Sequence, residues 1–505
     1  MDPVTKSSLS VTVAQIAVWS LTLVTSPVVA TTLDVTGWLP AAQVNISSPI
    51  PSWLGDDPIM GRLACPAVLR LEGDHLKNAP LLLKQPPSVE HSSSGETWTF
   101  NLRPGLKWWG GSPVDGEGLA VWLKENLKSI VHDRLGVTIP ANVIIAASGP
   151  LGAKIEWASK PKFGPYVLSG ISFSRMTAGH WDCAGLYALT PSPGGFELTL
   201  NKGYTAKYDK IRVAASGEPI TGSDHSLSFS MASRVTKATS TSIDTLSCPS
   251  RLDVPLVTAI IWNPASPLAA TPALRQALTM ATPRGEILRT AAGDIGSLIS
   301  APILRAHPGY SPKALVRPYS LDAAGKIFEQ AGFNQPHIGL PRAKGGEKPA
   351  ILRIARLSGK QDLMEKIIGD SMASLGIETR FEDPGVPGAT FDAALVSTFI
   401  PWISEDLRSL AHSSATKTIF DAKARFPFNV GSDKSLDELL DAYSMTLTQS
   451  TPDFSLLRKV HERWFEVEPW TLVMAHQFCV TGHGTPVPAK INALDPDWFR
   501  RIAVD

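Results

Sequence analysis

The chain has almost no net charge, with 47 Lys and Arg against 46 Asp and Glu. No basic field is therefore available to attract nucleic acid or an anionic membrane. Charged residues make up only 18%, below the roughly 25% usual for soluble chains. The sequence also lacks a G-x-S-x-G elbow, a G-x-x-x-x-G-K-[ST] loop, a G-x-G-x-x-G turn and an H-E-x-x-H helix. Those absences remove the common hydrolase, nucleotide-binding and zinc-protease readings. Cysteine is scarce: Cys65, Cys183, Cys248 and Cys479, none in a C-x-x-C pair. Zinc-ribbon and thioredoxin-like sites thus lack their ligands. In an exported protein four cysteines permit two disulfides in any of three connectivities, and four buried thiols are the alternative. Beyond residue 30 no segment reaches the ~18 uninterrupted apolar residues that a membrane span needs.

With 505 residues, the chain is long enough for about three domain-sized units. It can bury large cores and needs no metal or disulfide to fold. Gly (39) and Pro (41) are plentiful but short of a low-complexity composition, and tryptophan is abundant at 14. Leu9–Ala30 contains no charged residue, Lys6 precedes it, and Val28-Val29-Ala30 ends it with small residues. This layout predicts a secretory signal peptide cleaved after Ala30, with an uncleaved anchor or a buried helix as the alternatives. No cysteine ends the apolar run, which argues against lipid attachment there.

Hydrophobic periodicity sets out the remaining organisation. Trp98–Arg103 alternates large apolar and polar residues as a half-buried strand does. A turn at Pro104-Gly105, a second strand at Leu106–Trp109 and a turn at Gly110–Pro113 follow, and then Leu119, Val121, Trp122, Leu123 and Leu127 fall at helical spacing. Residues 153–157, 196–200 and 257–262 read as strands. Helices are predicted over 273–288, 321–331, 363–375, 435–445 and 453–466, with Gly332 and Gly376 as C-terminal stops. Strands at 351–355, 377–381 and 391–396 around the third of these helices signal an α/β unit.

Site candidates are few. His476-x-x-Cys479-x-x-x-His483 has metal-like spacing, but strand alternation from Trp470–Ala475 puts His476 and Cys479 on opposite faces. Glu405-Asp406 is an acidic pair that reads more simply as a solvated loop. Trp108, Trp109, Trp122 and Trp402 either line a pocket or fill a core.

The block Trp98–Leu119, WTFNLRPGLKWWGGSPVDGEGL, resembles the signature of extracellular solute-binding proteins of family 5, the peptide and nickel receptors of ABC importers. The likeness continues in order through Cys183–Leu189, Leu200–Tyr204 with Asp209–Ile211, and Trp262-Asn263 to Arg284. It then passes through Leu321–Phe333 and Leu375–Ile377 to Phe391-Asp392 and Trp402. Departures are present: Gly-Leu-Tyr stands where the family has Gly-Pro-Tyr, and Ala281-Thr-Pro-Arg284 where it has A-I-D-R. Peptide binders carry an Asp three residues after the tryptophan, and Glu405 stands there; Phe399 occupies the position of an Arg found in some of them.

The resemblance implies an α/β, two-lobed periplasmic-binding-protein fold with an extra domain. Lobe I would comprise 31–72, 181–265 and 470–505, the extra domain 73–180, and lobe II 266–469. All four cysteines then fall in or at the edge of lobe I, so at least one disulfide is expected within it. The implied function is not enzymatic. It is capture of a peptide or other small polar or cationic ligand in the inter-lobe cleft, for delivery to ABC permease subunits from the periplasm. The expected receptor is a monomer with no cofactor, no metal, no nucleic acid partner and no membrane insertion after signal removal. Ligand contacts fall on Glu405 as charge anchor, Trp402 as pocket wall, and Trp108, Trp109 and Asp406. A diverged fold serving as a structural subunit of an envelope complex is the alternative.

Overall fold

A computed structural model describes residues 31–38, 59–72, 76–202, 204–215, 224–230, 248, 250–334, 343–344, 348–384, 390–399, 407–414, 433–488, 491, 495 and 497–504. The predicted signal segment and its cleavage point lie outside these. Among the described residues no helix is long and apolar enough to cross a membrane.

The sequence block that opens at Trp98 folds as a helix on a sheet. Strands Ser88–His91, Glu96–Asn101, Gly152–Trp157 and Ile144–Gly149 pair antiparallel in that order. The helix Gly116–Leu135 starts where the Asp115 carboxylate accepts the Gly118 N–H and stops at Gly136, at φ 65°. Both signals are written locally, as an N-cap acid and a left-handed glycine. Its Leu119, Trp122, Leu123 and Leu127 bury against Trp98, Phe100 and Ile155. Gly116 allows the close approach, since a Cβ there would lie 2.3 Å from the Gly152 carbonyl oxygen. Leu106–Trp109 is not a strand: the turn residues on both sides leave only a single bridge, Lys107 to Pro113.

A large mixed sheet carries the rest. Its order is Tyr187–Ser192, Gly195–Leu200, Lys210–Ala214, Thr32–Thr36, Ser226–Ser230, Trp470–His483, Ser250–Trp262, Ala393–Phe399, Ile351–Arg356 and Glu378–Glu382. Thr32–Thr36 runs parallel to both its neighbours, as does Ile351–Arg356. The two central strands are 13 and 14 residues long, against six predicted for each. His476 read as a polar strand end, but the polar residues of both strands are paired within the sheet. Thr258 shares a hydrogen bond with His476, and Gln477 Nε2 donates to Asp253 Oδ1 at 2.6 Å. The register shifts between Asp253 and Val257 and again between Thr258 and Ala259.

These two strands feed two cores. Leu252, Val254, Val257 and Phe478 pack with Leu33, Leu198 and Tyr443. Ile260, Trp262, Val473 and Met474 pack with the helices Pro272–Ala281, Arg284–Ala292, Leu321–Gln330 and Asp362–Ser374. The single helix expected over 273–288 is thus two, broken at Thr282-Pro283, because proline has no N–H to continue the ladder. Buried Arg275 joins the first of them to the helix Phe454–Val467: its Nε and Nη2 donate to the last carbonyl, of Val467, at 3.0 and 2.8 Å. Its Nη1 donates to Ala269 O at 2.9 Å.

All four cysteines are bridged, Cys65 to Cys183 and Cys248 to Cys479, with Cα separations of 5.1 and 5.4 Å. Cys65, Cys183 and Cys479 are buried and Cys248 is half-buried.

Candidate functional site

In open α/β sheets the loops that follow the carboxyl ends of parallel strands form the ligand crevice. Here Ile351–Arg356 and Ala393–Phe399 run parallel; Arg356 ends opposite Leu395, and the second strand continues to Phe399, opposite Leu256 in the middle of Ser250–Trp262. A row of neutral polar groups gathers at that point. Thr258 Oγ1 lies 2.8 Å from Ser397 Oγ and 2.7 Å from His476 Nε2. Gln361 Nε2 donates to Ser397 Oγ at 3.3 Å, while Ser358 Oγ accepts the Ser397 N–H at 2.7 Å. Three chain segments distant in sequence converge because adjacent strands bring Thr258, Ser397 and His476 into neighbouring registers.

The row's electrostatics follow from burial. Burial lowers the His476 pKa to about 4, so the imidazole is neutral near pH 7 and can both donate and accept. Beside it, Arg356 Nη2 and Nε donate to the Glu365 carboxylate at 2.8 and 2.9 Å, and Gln361 N–H donates to the same group at 3.1 Å. Burial opposes ionisation of Glu365, but the Arg356 and Gln361 hydrogen bonds outweigh it and hold its pKa below the usual carboxylate range. That clamp fixes the turn carrying Ser358 and Gln361. The arrangement can hydrogen-bond a polar ligand, and its groups have no nucleophile–base–acid geometry of the triad kind.

Of the residues singled out from the sequence, Trp402, Glu405 and Asp406 lie outside the described residues. Trp108 is buried in the helix-on-sheet unit, stacked on Phe173 at 4.9 Å with the Arg175 guanidinium 4.3 Å from its ring. Trp109 is half-buried at the seam with the large sheet; its Nε1 donates to Ala64 O at 2.9 Å and its ring meets Trp181 at 5.2 Å. The metal-like spacing at the end of Trp470–His483 is taken up otherwise, with Cys479 in a disulfide and His476 on Thr258. Sequence reading missed Thr258, Ser358, Gln361, Ser397 and His476 as a group. The available signal was a polar residue interrupting an apolar strand, at Thr258 and at His476.

Residues 236–402 match the model "Bacterial extracellular solute-binding proteins, family 5 Middle". Among curated proteins, none matches in sequence. Solved structures match in shape: NikZ from Campylobacter jejuni in complex with Ni(L-His) has 14% identity and a TM-score of 0.65. The alignment covers 94% of this chain and 99% of that one. The oligopeptide-binding protein AppA from Bacillus subtilis, in complex with a nonapeptide, has 14% identity and a TM-score of 0.63 over 94% and 99%. NikA from Brucella suis, in complex with Fe(III)-EDTA, has 16% identity and a TM-score of 0.63 over 92% and 98%. The chain thus has the two-lobed α/β fold of these binding proteins, and over residues 236–402 it matches the solute-binding proteins of family 5.

Proposed function

We propose that this protein is an exported receptor that captures a peptide or another small polar, cationic ligand between its two lobes and passes it to an ABC importer. The supporting observation is the row Thr258, Ser397, His476, Ser358 and Gln361 at the carboxyl ends of two parallel strands. Residues 400–406 follow directly on one of those strands, and they include Trp402 and Glu405. In this reading Glu405 anchors the ligand's positive charge and Trp402 forms a wall, adding a cation–π contribution of about 0.5–2 kcal/mol. A carboxylate enclosed in a water-poor cleft requires a cationic partner, because an unpaired buried charge costs several kcal/mol. Closure then follows from tighter binding to the closed form, with no chemical step.

The experiment is calorimetric titration of the full chain with defined di- to nonapeptides, after native mass spectrometry of unrefolded protein has been searched for a retained ligand. Glu405→Gln removes a charge-assisted hydrogen bond and should weaken a peptide that binds by about ten- to hundredfold. An unchanged Kd removes Glu405 from the site, and no binding by any peptide refutes the peptide reading. Export is tested by the intact mass of protein from its native host: loss of Met1–Ala30 is expected, and a chain that retains them refutes it.

A further inference from the structure

Residues 298–320 form neither helix nor strand. They follow directly on Gly296–Ser297, which pairs with the long strand Trp470–His483 at His476 and Ala475, and they lead into the helix Leu321–Gln330. The segment nevertheless packs tightly on the helix Phe454–Val467. Ile299, Ile303 and Ala314 are buried, and a Cβ on Gly309 would lie 2.2 Å from Leu457 Cδ2.

A buried irregular segment must find partners for its backbone polar groups elsewhere, and two different devices supply them here. At the ends, Arg284 donates to Ile299 O at 3.5 Å and to Arg317 O at 2.7 Å, so one guanidinium ties both ends together. Arg317 in turn donates to Glu468 Oε2 at 2.9 Å and to Phe465 O at 2.6 Å. Acid leaves a guanidinium charged, and the acceptors of Arg284 are backbone carbonyls that do not titrate.

The middle of the segment hangs on one buried imidazole. His461 Nδ1 accepts the Ser311 N–H at 2.9 Å, and His461 Nε2 lies 2.9 Å from Ser300 Oγ. The Ser300 hydroxyl hydrogen goes to Ala314 O, at 2.6 Å, so Nε2–H donates to Ser300 and the ring is the neutral Nε2–H tautomer. Both nitrogens are thereby committed, and a second proton on Nδ1 would set donor against donor at Ser311. The remaining fastenings of the middle lie nearer solvent: Arg458 Nε donates to Pro308 O at 2.8 Å, and Ser311 Oγ donates to Glu462 Oε1 at 2.7 Å. Water can replace those.

Other titratable and charged groups surround this ring. The segment itself brings Tyr310, whose ring centroid is 4.7 Å away, with Lys313 and His307, whose Nδ1 accepts the Gly309 N–H. The adjoining helices bring Arg275, held by the Val467 carbonyl, and Tyr443. Of the charges, Glu462 favours protonation of His461, but burial outweighs it and lowers the pKa to about 4.

We propose that residues 298–320 are an acid-opened strap: neutral His461 latches its middle to the helix Phe454–Val467, and protonation of that ring frees the middle while Arg284 keeps the ends joined. Opening uncovers Ile303 and the Leu457 face of the helix, so an apolar surface is presented only in acid. In the open form the imidazole regains its ordinary pKa near 6.5. The latch is therefore complete above that value and is lost as pH falls toward 4. The open population should rise roughly 30-fold between about pH 7.5 and about pH 5.

The test is backbone hydrogen exchange of the full chain at those two pH values, read by mass spectrometry and corrected for the intrinsic pH dependence of exchange. No ligand is needed, so the outcome is independent of the peptide reading. Protection over 298–320 should fall roughly 30-fold in acid, and the helix Asp362–Ser374 should lose much less. His461→Gln keeps a donor and an acceptor but does not titrate, so its strap protection should no longer respond to pH. Ser300→Ala removes the acceptor of Nε2–H and should lower strap protection already at the higher pH; it serves if His461→Gln fails to fold. An unchanged wild-type strap, or an equal loss over Asp362–Ser374, overturns the proposal. So does a full acid response in His461→Gln, or Ser300→Ala protection equal to wild type.

Discussion

Removing the Cys248–Cys479 bridge should destabilise the sheet core by up to about 5 kcal/mol. The bridge closes a loop across a sequence separation of 231, and the chain-entropy relation gives that magnitude for such a loop. This bridge comes nearer to isolating the entropic contribution because only Cys479 is buried and Cys248 is half-buried, so Cys248→Ala/Cys479→Ala leaves a smaller cavity than loss of two buried cysteines. The other bridge spans 118 residues and also gives about 5 kcal/mol. However, Cys65 and Cys183 are both fully buried, and their replacement by alanine adds a packing loss on the order of 1 kcal/mol. The two loops do not overlap in sequence, so the double losses should add. The assay is urea unfolding followed by tryptophan fluorescence. The variant's midpoint should fall and its m-value should rise, because an uncrosslinked denatured chain exposes more surface. Cys248→Ser alone should match the double variant, since either change abolishes the bridge. An unchanged midpoint refutes the reasoning, as do four alkylatable thiols in denatured, unreduced protein. A lower midpoint with an unchanged m-value would place the effect in the native state instead.

Acid should weaken the fold through its buried histidines. His461 and His476 have pKa values lowered to about 4 from an ordinary 6.5, each chiefly by burial. The unfolded chain then binds more protons between those values, so stability is complete above pH 6.5 and is lost as pH falls toward 4, on the order of 3 kcal/mol for each. Urea midpoints across that range should show the slope, His476→Gln should flatten it, and an unaltered slope would exclude His476. Arg275→Met should cost about 2–4 kcal/mol by orphaning the Val467 and Ala269 carbonyls; a midpoint within error of wild type would show that water replaces the guanidinium.

The local signals in the sequence were legible where one face is buried and the ends are marked. The spacing of Leu119, Trp122, Leu123 and Leu127 marks the helix Gly116–Leu135, whose ends the structure puts at Asp115 and Gly136, and Gly332, at φ 86°, follows the helix Leu321–Gln330 as expected of a stop. The strands Gly152–Trp157, Gly195–Leu200 and Ile351–Arg356 were readable from alternation or from short apolar runs. The long central strands were not, because they pass between two cores. Thr258 and His476 are polar yet buried, and each satisfies the other rather than marking a boundary. The same pair explains why the polar row escaped sequence reading: its members are brought together by strand order, which no spacing along the chain encodes. Trp108 and Trp109 illustrate the converse. Adjacent tryptophans read equally as pocket wall or core filler, and the structure places one in a core and the other at a seam.

The position of Trp470–His483, inserted between Ser226–Ser230 and Ser250–Trp262, also sets a schedule for biosynthesis. A ribosome adding 5–20 residues per second needs roughly 10–50 s to travel from the first of these central strands to the last. During that interval both flanking strands have open edges, and unpaired edges template wrong partners. The large sheet cannot close until Trp470–His483 is made, so its two halves stay unjoined until synthesis is nearly complete.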